Sequence, residues 1–239
     1  LDRSSAASDV YKRQALPTAI AEKAKAAHEA GEEFKIDVFS GASTAPDCDG
    51  VLAEANAIRF RSPYNSDPAL RNRFNDGSAL YQDIHLSPSA QQVEEGFYGD
   101  FQVAIIEAVR IDENGNIVPS SAVGNNLEYI DAADKIIIEV NEWQSENLEG
   151  MHDIYKIEKL PNRQPIPITK PADRVGTTYI EIPEEKVVAV VKTDAPDRNA
   201  PFKAPDEISE KIAANFIEFL EGEVAAGRLE YDKFIMQSG

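Results

Sequence analysis

Residues 101–140 read FQVAIIEAVRIDENGNIVPSSAVGNNLEYIDAADKIIIEV, and this stretch decides the fold. Positions 101–111 are strongly apolar and form the best strand candidate in the chain. Asn114-Gly115 followed by Ile117-Val118 is the strongest short-range hairpin signal. The segment 112–116 superficially resembles a calcium loop. It fails that test, because the sixth position is Ile117 rather than Gly and the twelfth is Val123 rather than Glu. Residues 127–134 read as a short helix, and 135–140 (KIIIEV) as a buried strand of the parallel type. Strands alternating with helices predict an α/β fold.

The same alternation continues outward. Upstream, 16–30 is an Ala-rich helix with Pro17 near its start and Gly31 past its end. A strand at 34–39 alternates apolar and polar residues, runs into the small-residue turn Ser40-Gly41-Ala42-Ser43-Thr44, and leads to a helix at 50–56. Ligands of open α/β sheets sit at the carboxyl ends of strands, which makes this turn a candidate ligand contact. A short strand is expected at 58–60 and a short helix at 67–74, with Asp67 as N-cap and Pro68 in its first turn. Downstream, Pro161, Pro165, Pro167 and Pro171 mark an extended crossing, 178–182 alternates like a strand, and 187–191 is a β-branched strand. Residues 206–226 form a helix capped by Asp206 and Gly227. Its Ile208, Ile212, Phe216, Leu220 and Val224 recur every four residues as a stripe expected to pack on the body.

Composition narrows the function. The chain has 239 residues, enough for one large domain or two small ones. Asp plus Glu number 42 against 24 Lys plus Arg, a formal net charge of −18 that repels phosphate backbones and argues against a nucleic-acid partner. No apolar run approaches the ~20 residues of a membrane span, so no membrane partner is expected. The single cysteine, Cys48, excludes an internal disulfide and a multi-cysteine metal site. The expected setting is the cytoplasm, with any targeting signal unobservable because the chain opens at Leu1. Residues 1–14 (LDRSSAASDVYKRQ) show no helical or strand period. They resemble an adapter-derived peptide seen at the ends of reading frames assembled from environmental DNA, and are expected to be that or a disordered tract. The domain proper is expected at 15–239, truncated at both ends.

Little chemistry is advertised by spacing alone. His28, His85 and His152 lack zinc-site spacing, so no metal is expected. There is no phosphate loop, dinucleotide fingerprint or nucleophile elbow. Asp47 and Asp49 flank Cys48 and oppose its thiolate. Glu139 and Glu142 flank Val140-Asn141 at a strand end and read as ordinary surface carboxylates, with acid–base work the alternative. Two loops stand out. Residues 120–126 (SSAVGNN) precede a helix and offer backbone N–H groups to an anion. Residues 194–202 (DAPDRNAPF) pin Arg198 between prolines, either as a structural partner of Asp197 or as a fork for a carboxylate or phosphate.

Five strings occur in order: SGAST at 40–44, FRSPYN at 60–65, VGN at 123–125, EVNEWQ at 139–144 and DRNAPF at 197–202. Together they resemble the N-terminal domain of the acetyl-CoA hydrolase/transferase family, over essentially all of 15–239. The resemblance implies a CoA-transferase-type (NagB/RpiA-like) α/β domain with a mixed, mostly parallel sheet flanked by helices. It implies a two-domain enzyme, homodimeric when full length, whose C-terminal domain this chain lacks. Coenzyme A would be a substrate, with no permanently bound cofactor, and the partners acyl-CoA and a small carboxylate such as acetate. The reaction implied is ping-pong: a glutamate attacks the acyl-CoA thioester, CoA converts the anhydride to a glutamyl-CoA thioester, and an acceptor carboxylate regenerates acyl-CoA. That glutamate would lie beyond this chain, leaving no catalytic residue in it. Gly239 would be the first residue of the CoA-binding segment. Gly41, Ala42, Ser43, Thr44, Ser121, Gly124, Asn125, Arg198 and Asn199 would line the substrate pocket, Arg198 holding a substrate carboxylate or an acid of the domain interface. Two rivals stay open: a sugar-phosphate isomerase-like α/β domain binding phosphate around Gly41 and Gly124, and a non-catalytic CoA- or acid-binding module.

Overall fold

A computed structural model describes residues 15–41, 46–196 and 204–234. The chain divides into two compact units, residues 1–199 and 200–239. Within the first unit the order is α1 (Ala15–Glu29), β1 (Ile36–Phe39), a π-helical turn (Pro46–Gly50), α2 (Val51–Glu54), β2 (Ile58–Ser62), α3 (Pro68–Asn75), β3 (Leu80–Tyr81), α4 (Ser89–Glu94), β4 (Phe101–Ile111), β5 (Ile117–Pro119), α5 (Asn126–Ala132), β6 (Ala133–Asn141) and β7 (Val187–Thr193). The α/β reading holds, but as two sheets rather than one. A three-stranded parallel sheet has the order β1-β2-β3, and a four-stranded mixed sheet the order β5-β4-β6-β7.

The larger sheet is the product of the decisive stretch. β4 pairs in parallel with β6 from Phe101↔Ala133 to Ala108↔Val140, and β6 with β7 up to Asn141↔Thr193. The Asn-Gly turn folds β5 back antiparallel on the end of β4. Asp112 organises that turn: its Oδ1 accepts from Asn114 N at 2.8 Å and Asn116 N at 2.9 Å. Gly115 takes φ 82°, which suits glycine. Ala104, Ile106, Ile136 and Ile138 are buried to 2% exposure or less and face Tyr129 and Ile130 of α5 in one core. The smaller sheet has its own core, in which Ile36, Val38 and Ile58 meet Ala21 and Ala24 of α1, Leu52 and Ala53 of α2, and Leu70 of α3. Phe39 joins the two cores, its ring 5.2 Å from Phe101 and 5.3 Å from Phe60.

Several local expectations change on folding. β1 is buried throughout, Asp37 included, instead of alternating, because Arg59 neutralises Asp37 across the strand pair. Residues 178–182 do not form a strand. Ile180 exchanges both backbone bonds with Ile117 at 2.9 Å, while Thr177 turns to Ile154 instead, so no ladder propagates. The short β3 and α4 carry too few residues to show a period. Asp67 caps α3 as expected, accepting from Leu70 N at 3.0 Å.

The second unit is α6 (Glu207–Ala225) followed by a 3-10 turn at Tyr231–Lys233. Asp206 and Ser209 form a reciprocal capping box, and Gly227 closes the helix at φ 69°. On the stripe, Ile208 and Ile212 are 72% and 64% exposed, and Leu220 and Val224 are half-buried. Among the described residues, no helix is long and apolar enough to cross a membrane.

Candidate functional site

Parallel strands converge their carboxyl ends, and in both sheets those ends bury charge. In the smaller sheet the side chain is Arg61, fully buried on β2. Its Nε donates to Asp49 Oδ1 at 3.1 Å and its Nη2 to Asp49 Oδ2 at 3.3 Å. Nη2 also donates to Ser40 Oγ at 2.8 Å, and Nη1 to the Ser62 carbonyl at 2.5 Å. Burial pulls the guanidinium's pKa down, but Asp49, joined by Cys48 and Tyr129, outweighs that pull and holds it above its ordinary range. The cluster is therefore a charged pair closed to water. Ser40 and Gly41 follow β1, and Asp49 lies in the turn Pro46–Gly50, so Arg61 touches both stems of the small-residue loop.

In the larger sheet, Glu107 and Glu139 stand in register on β4 and β6, 2% and 0% exposed. Asn141, also fully buried, ends β6 and donates from Nδ2 to Glu107 Oε1 at 2.9 Å and to the Ala195 carbonyl at 2.9 Å. Its Oδ1 accepts from Ala195 N at 3.0 Å and Trp143 N at 3.2 Å. The asparagine thus ties the ends of β4 and β6 to the chain leaving β7. Glu139 is a core carboxylate, a correction to its reading as a surface group. Glu142 is half-exposed as expected and pairs with Lys192 at 2.7 Å. A cleft of about 340 Å³ opens beside these strand ends, between Arg110, Val140, Glu142, Gln144 and Lys192.

The sequence-predicted site residues divide accordingly. Gly41 is buried beside Ser40. Ser121 and Gly124 are exposed in the loop between β5 and α5, and half-buried Asn125 donates from Nδ2 to Ser89 Oγ at 2.7 Å. Much of that loop's hydrogen bonding is internal: Ala122 N donates to Ser120 Oγ at 3.3 Å and Asn126 N to the Val123 carbonyl at 3.0 Å. Asn125 connects to the first cluster through α5, since its carbonyl accepts from Tyr129 N and Tyr129 lies close enough to Arg61 to bias its charge. Ala42, Ser43, Thr44, Arg198, Asn199 and Gly239 lie outside the described residues. Among the described residues, no group of three or more His, Cys, Asp and Glu could hold a metal ion. His28 and His152 instead meet the carbonyls of Phe34 and Pro119 at 3.1 and 3.0 Å.

Residues 4–192 match the family model of the acetyl-CoA hydrolase/transferase N-terminal domain. The chain belongs to the acetyl-CoA hydrolase/transferase family. It is 41% identical over 224 residues to the succinyl-CoA:acetate CoA-transferase of Clostridium kluyveri, covering 94% of this chain and 41% of that protein. It is 38% identical over 214 residues to the acetyl-CoA hydrolase of Yarrowia lipolytica, covering 87% of this chain and 41% of that protein. The chain thus spans about two fifths of the length of these relatives. The crystal structure of RipA from Yersinia pestis superposes with a TM-score of 0.56 at 15% identity, over 88% of this chain and 44% of RipA, and shares the fold.

For this acetyl-CoA hydrolase/transferase domain, spacing did not single out Arg61, Asp49, Glu107 or Asn141. A signal was nonetheless present for Glu107 and Glu139, each of which interrupts a run of apolar residues, and a charge inside a buried strand requires a partner; Arg61 alternates with Arg59 on β2 and carries no such signal.

Proposed function

We propose that this domain is the N-terminal half of an enzyme that moves coenzyme A between an acyl-CoA (acetyl-, succinyl- or butyryl-CoA) and a carboxylate such as acetate, through a glutamyl-CoA thioester. Hydrolysis of acetyl-CoA is the outcome when water takes the acceptor's place. The observation that carries this reading is the family match across 4–192, joined by relatives named for both activities. The isomerase-like and non-catalytic readings have no such support.

In this proposal coenzyme A is a substrate, and the nucleophilic glutamate belongs to the C-terminal domain of the full-length, homodimeric protein. The loops at 41–44 and 121–125 line the carboxylate and acyl pocket, with Arg198 and Asn199 beside them and Gly239 opening the CoA-binding segment. Backbone N–H groups facing the developing oxyanion would supply much of the transition-state stabilisation.

The test is acyl-CoA:acetate exchange and acyl-CoA hydrolysis, with borohydride trapping of the enzyme thioester. The full-length enzyme is expected to turn over and to be trapped, and the 239-residue chain to be inert. Turnover by the purified chain would put the nucleophile within it, with Glu139 and Glu142 the first residues to replace. Arg198→Ala in the full-length enzyme is expected to lower kcat/KM at least about tenfold, roughly 1.4 kcal/mol of transition-state binding. An unchanged kcat/KM in folded protein would remove Arg198 from the pocket.

A further inference from the structure

We infer that the long crossing between β6 and β7 belongs to a self-complementary surface through which two copies of this chain pair about a two-fold axis. The basic arm 156–174 of each copy lies on the acidic segment 83–100 of the other. The inference rests on the homodimeric state proposed above and names the surface that holds it; it does not depend on the CoA chemistry.

The two halves are opposite in charge and alike in exposing apolar side chains. The arm carries Lys156, Lys159, Arg163, Lys170 and Arg174 against Glu158 and Asp173, in a chain whose net charge is −18. The segment 83–100 carries Asp83, Glu94, Glu95 and Asp100 and no Lys or Arg. Leu160, Ile166 and Ile168 are 63%, 43% and 55% exposed on the arm, and Leu86 and Phe97 are 50% and 66% exposed on the acidic segment. Large exposed apolar side chains set among charges of one sign mark a contact surface for a partner of the other sign. The halves are also neighbours: Arg163 Nη2 lies 3.3 Å from Glu94 Oε2, and Lys159 shares a cleft of about 210 Å³ with Glu94, Gly96 and Asp100. The Arg163–Glu94 pair is used within one copy, leaving exposed Lys159 and Lys170 on the arm, and Asp83 and Asp100 on the segment, to face the partner. Adjacent halves of opposite charge are what a two-fold interface requires, because the rotation sets each half of one copy on the other half of the second. An unrelated acidic partner would use the arm alone and leave the acidic segment without a role.

The arm is held in shape before any partner arrives. Pro161, Pro165, Pro167 and Pro171 fix φ along it. At its base Asp153 Oδ1 accepts from Val175 N at 3.0 Å and Gly176 N at 2.6 Å, and Arg174 Nη2 donates to the Gly150 carbonyl at 2.9 Å. Glycine suits position 176, since a Cβ there would collide with the Ile154 backbone. Farther out, Asp173 Oδ2 accepts from Thr169 N and Lys170 N, both at 2.8 Å. A loop fixed in this way loses little conformational entropy on docking.

Two variants of the full-length enzyme test this by sedimentation velocity: Ile166→Ser with Ile168→Ser, which spoils the arm, and Phe97→Ser, which spoils the acidic segment. Both change exposed side chains, so each is expected to keep the wild-type thermal midpoint within about 2 °C. Should the arm variant unfold, Lys170→Glu takes its place. The wild-type enzyme is expected to sediment as a dimer, and the dimer Kd of each variant alone to rise about thirtyfold or more. Mixing the two variants is expected to tighten association at least about fivefold over either alone. The mixed dimer keeps one undamaged contact of arm with segment, whereas each pure dimer has none. A wild-type dimer indifferent to both variants, or one that they weaken with no gain on mixing, overturns the proposed surface and leaves the homodimer standing. A wild-type enzyme that stays monomeric overturns the homodimeric reading and the surface with it.

Discussion

The carboxyl ends of the two sheets bury charge by different means. The Arg61 cluster contains its own countercharge, with a guanidinium facing Asp49 and two oxygen acceptors in a fully enclosed site. The Glu107–Glu139 cluster sets two carboxylates in register and ties Glu107 to the chain leaving β7 through a neutral amide, Asn141. The first is built to be rigid, since removing either charge strands the other. The second depends on an uncharged side chain that holds acceptors and donors in order.

The sharpest way to break this contrast is Asp49→Ala. It leaves a buried guanidinium without its carboxylate and is expected to cost about 3–5 kcal/mol, read from chemical denaturation followed by circular dichroism. A loss below about 1 kcal/mol would show that water enters the cluster and that the two strand ends are alike after all.

Next in size is Asn141→Asp. An added carboxylate oxygen would face Glu107 Oε1 and the Ala195 carbonyl where Nδ2 now donates. The expected loss is about 2–4 kcal/mol at neutral pH and less under acid, because protonation restores a donor. Asn141→Ala should cost roughly 2 kcal/mol at either pH. Equal losses for both variants at neutral pH would mean that Glu107 is not a charged neighbour.

The smallest effect sharpens the comparison from α5, whose Tyr129 lies close enough to Arg61 to bias its charge. Burial raises the pKa of Glu128, and Glu94 and Asp131 push it further up while Lys156 opposes them. Because the folded-state value lies above the unfolded one, the folded chain binds the proton more tightly. The associated stability is complete below about pH 4.3 and is lost as pH rises through the raised value. Glu128→Gln should leave the thermal midpoint unchanged near pH 4 and raise it by about 1–2 °C at pH 8. A midpoint that falls at pH 8 would show that the carboxylate has a stabilising partner.

The hairpin at Asn114-Gly115 and the helix caps at Asp67 and Asp206 were legible in sequence, because each depends on backbone sterics or on hydrogen bonds to residues within about four positions. The strands β4 and β6 were legible from their apolar runs. The family itself was legible too, carried by five ordered strings whose residues include Arg61, Asn141 and Arg198. Tertiary structure alone decided that the strands form two sheets, that 178–182 makes a single bridge, and that Glu139 is a core carboxylate. It also decided which acid Arg61 would take: Asp49, twelve residues earlier on a different element, rather than a neighbour on its own strand. A charge on a buried strand needs a partner, because desolvation is costly. Which partner it finds depends on how distant segments pack, and local sequence does not encode that.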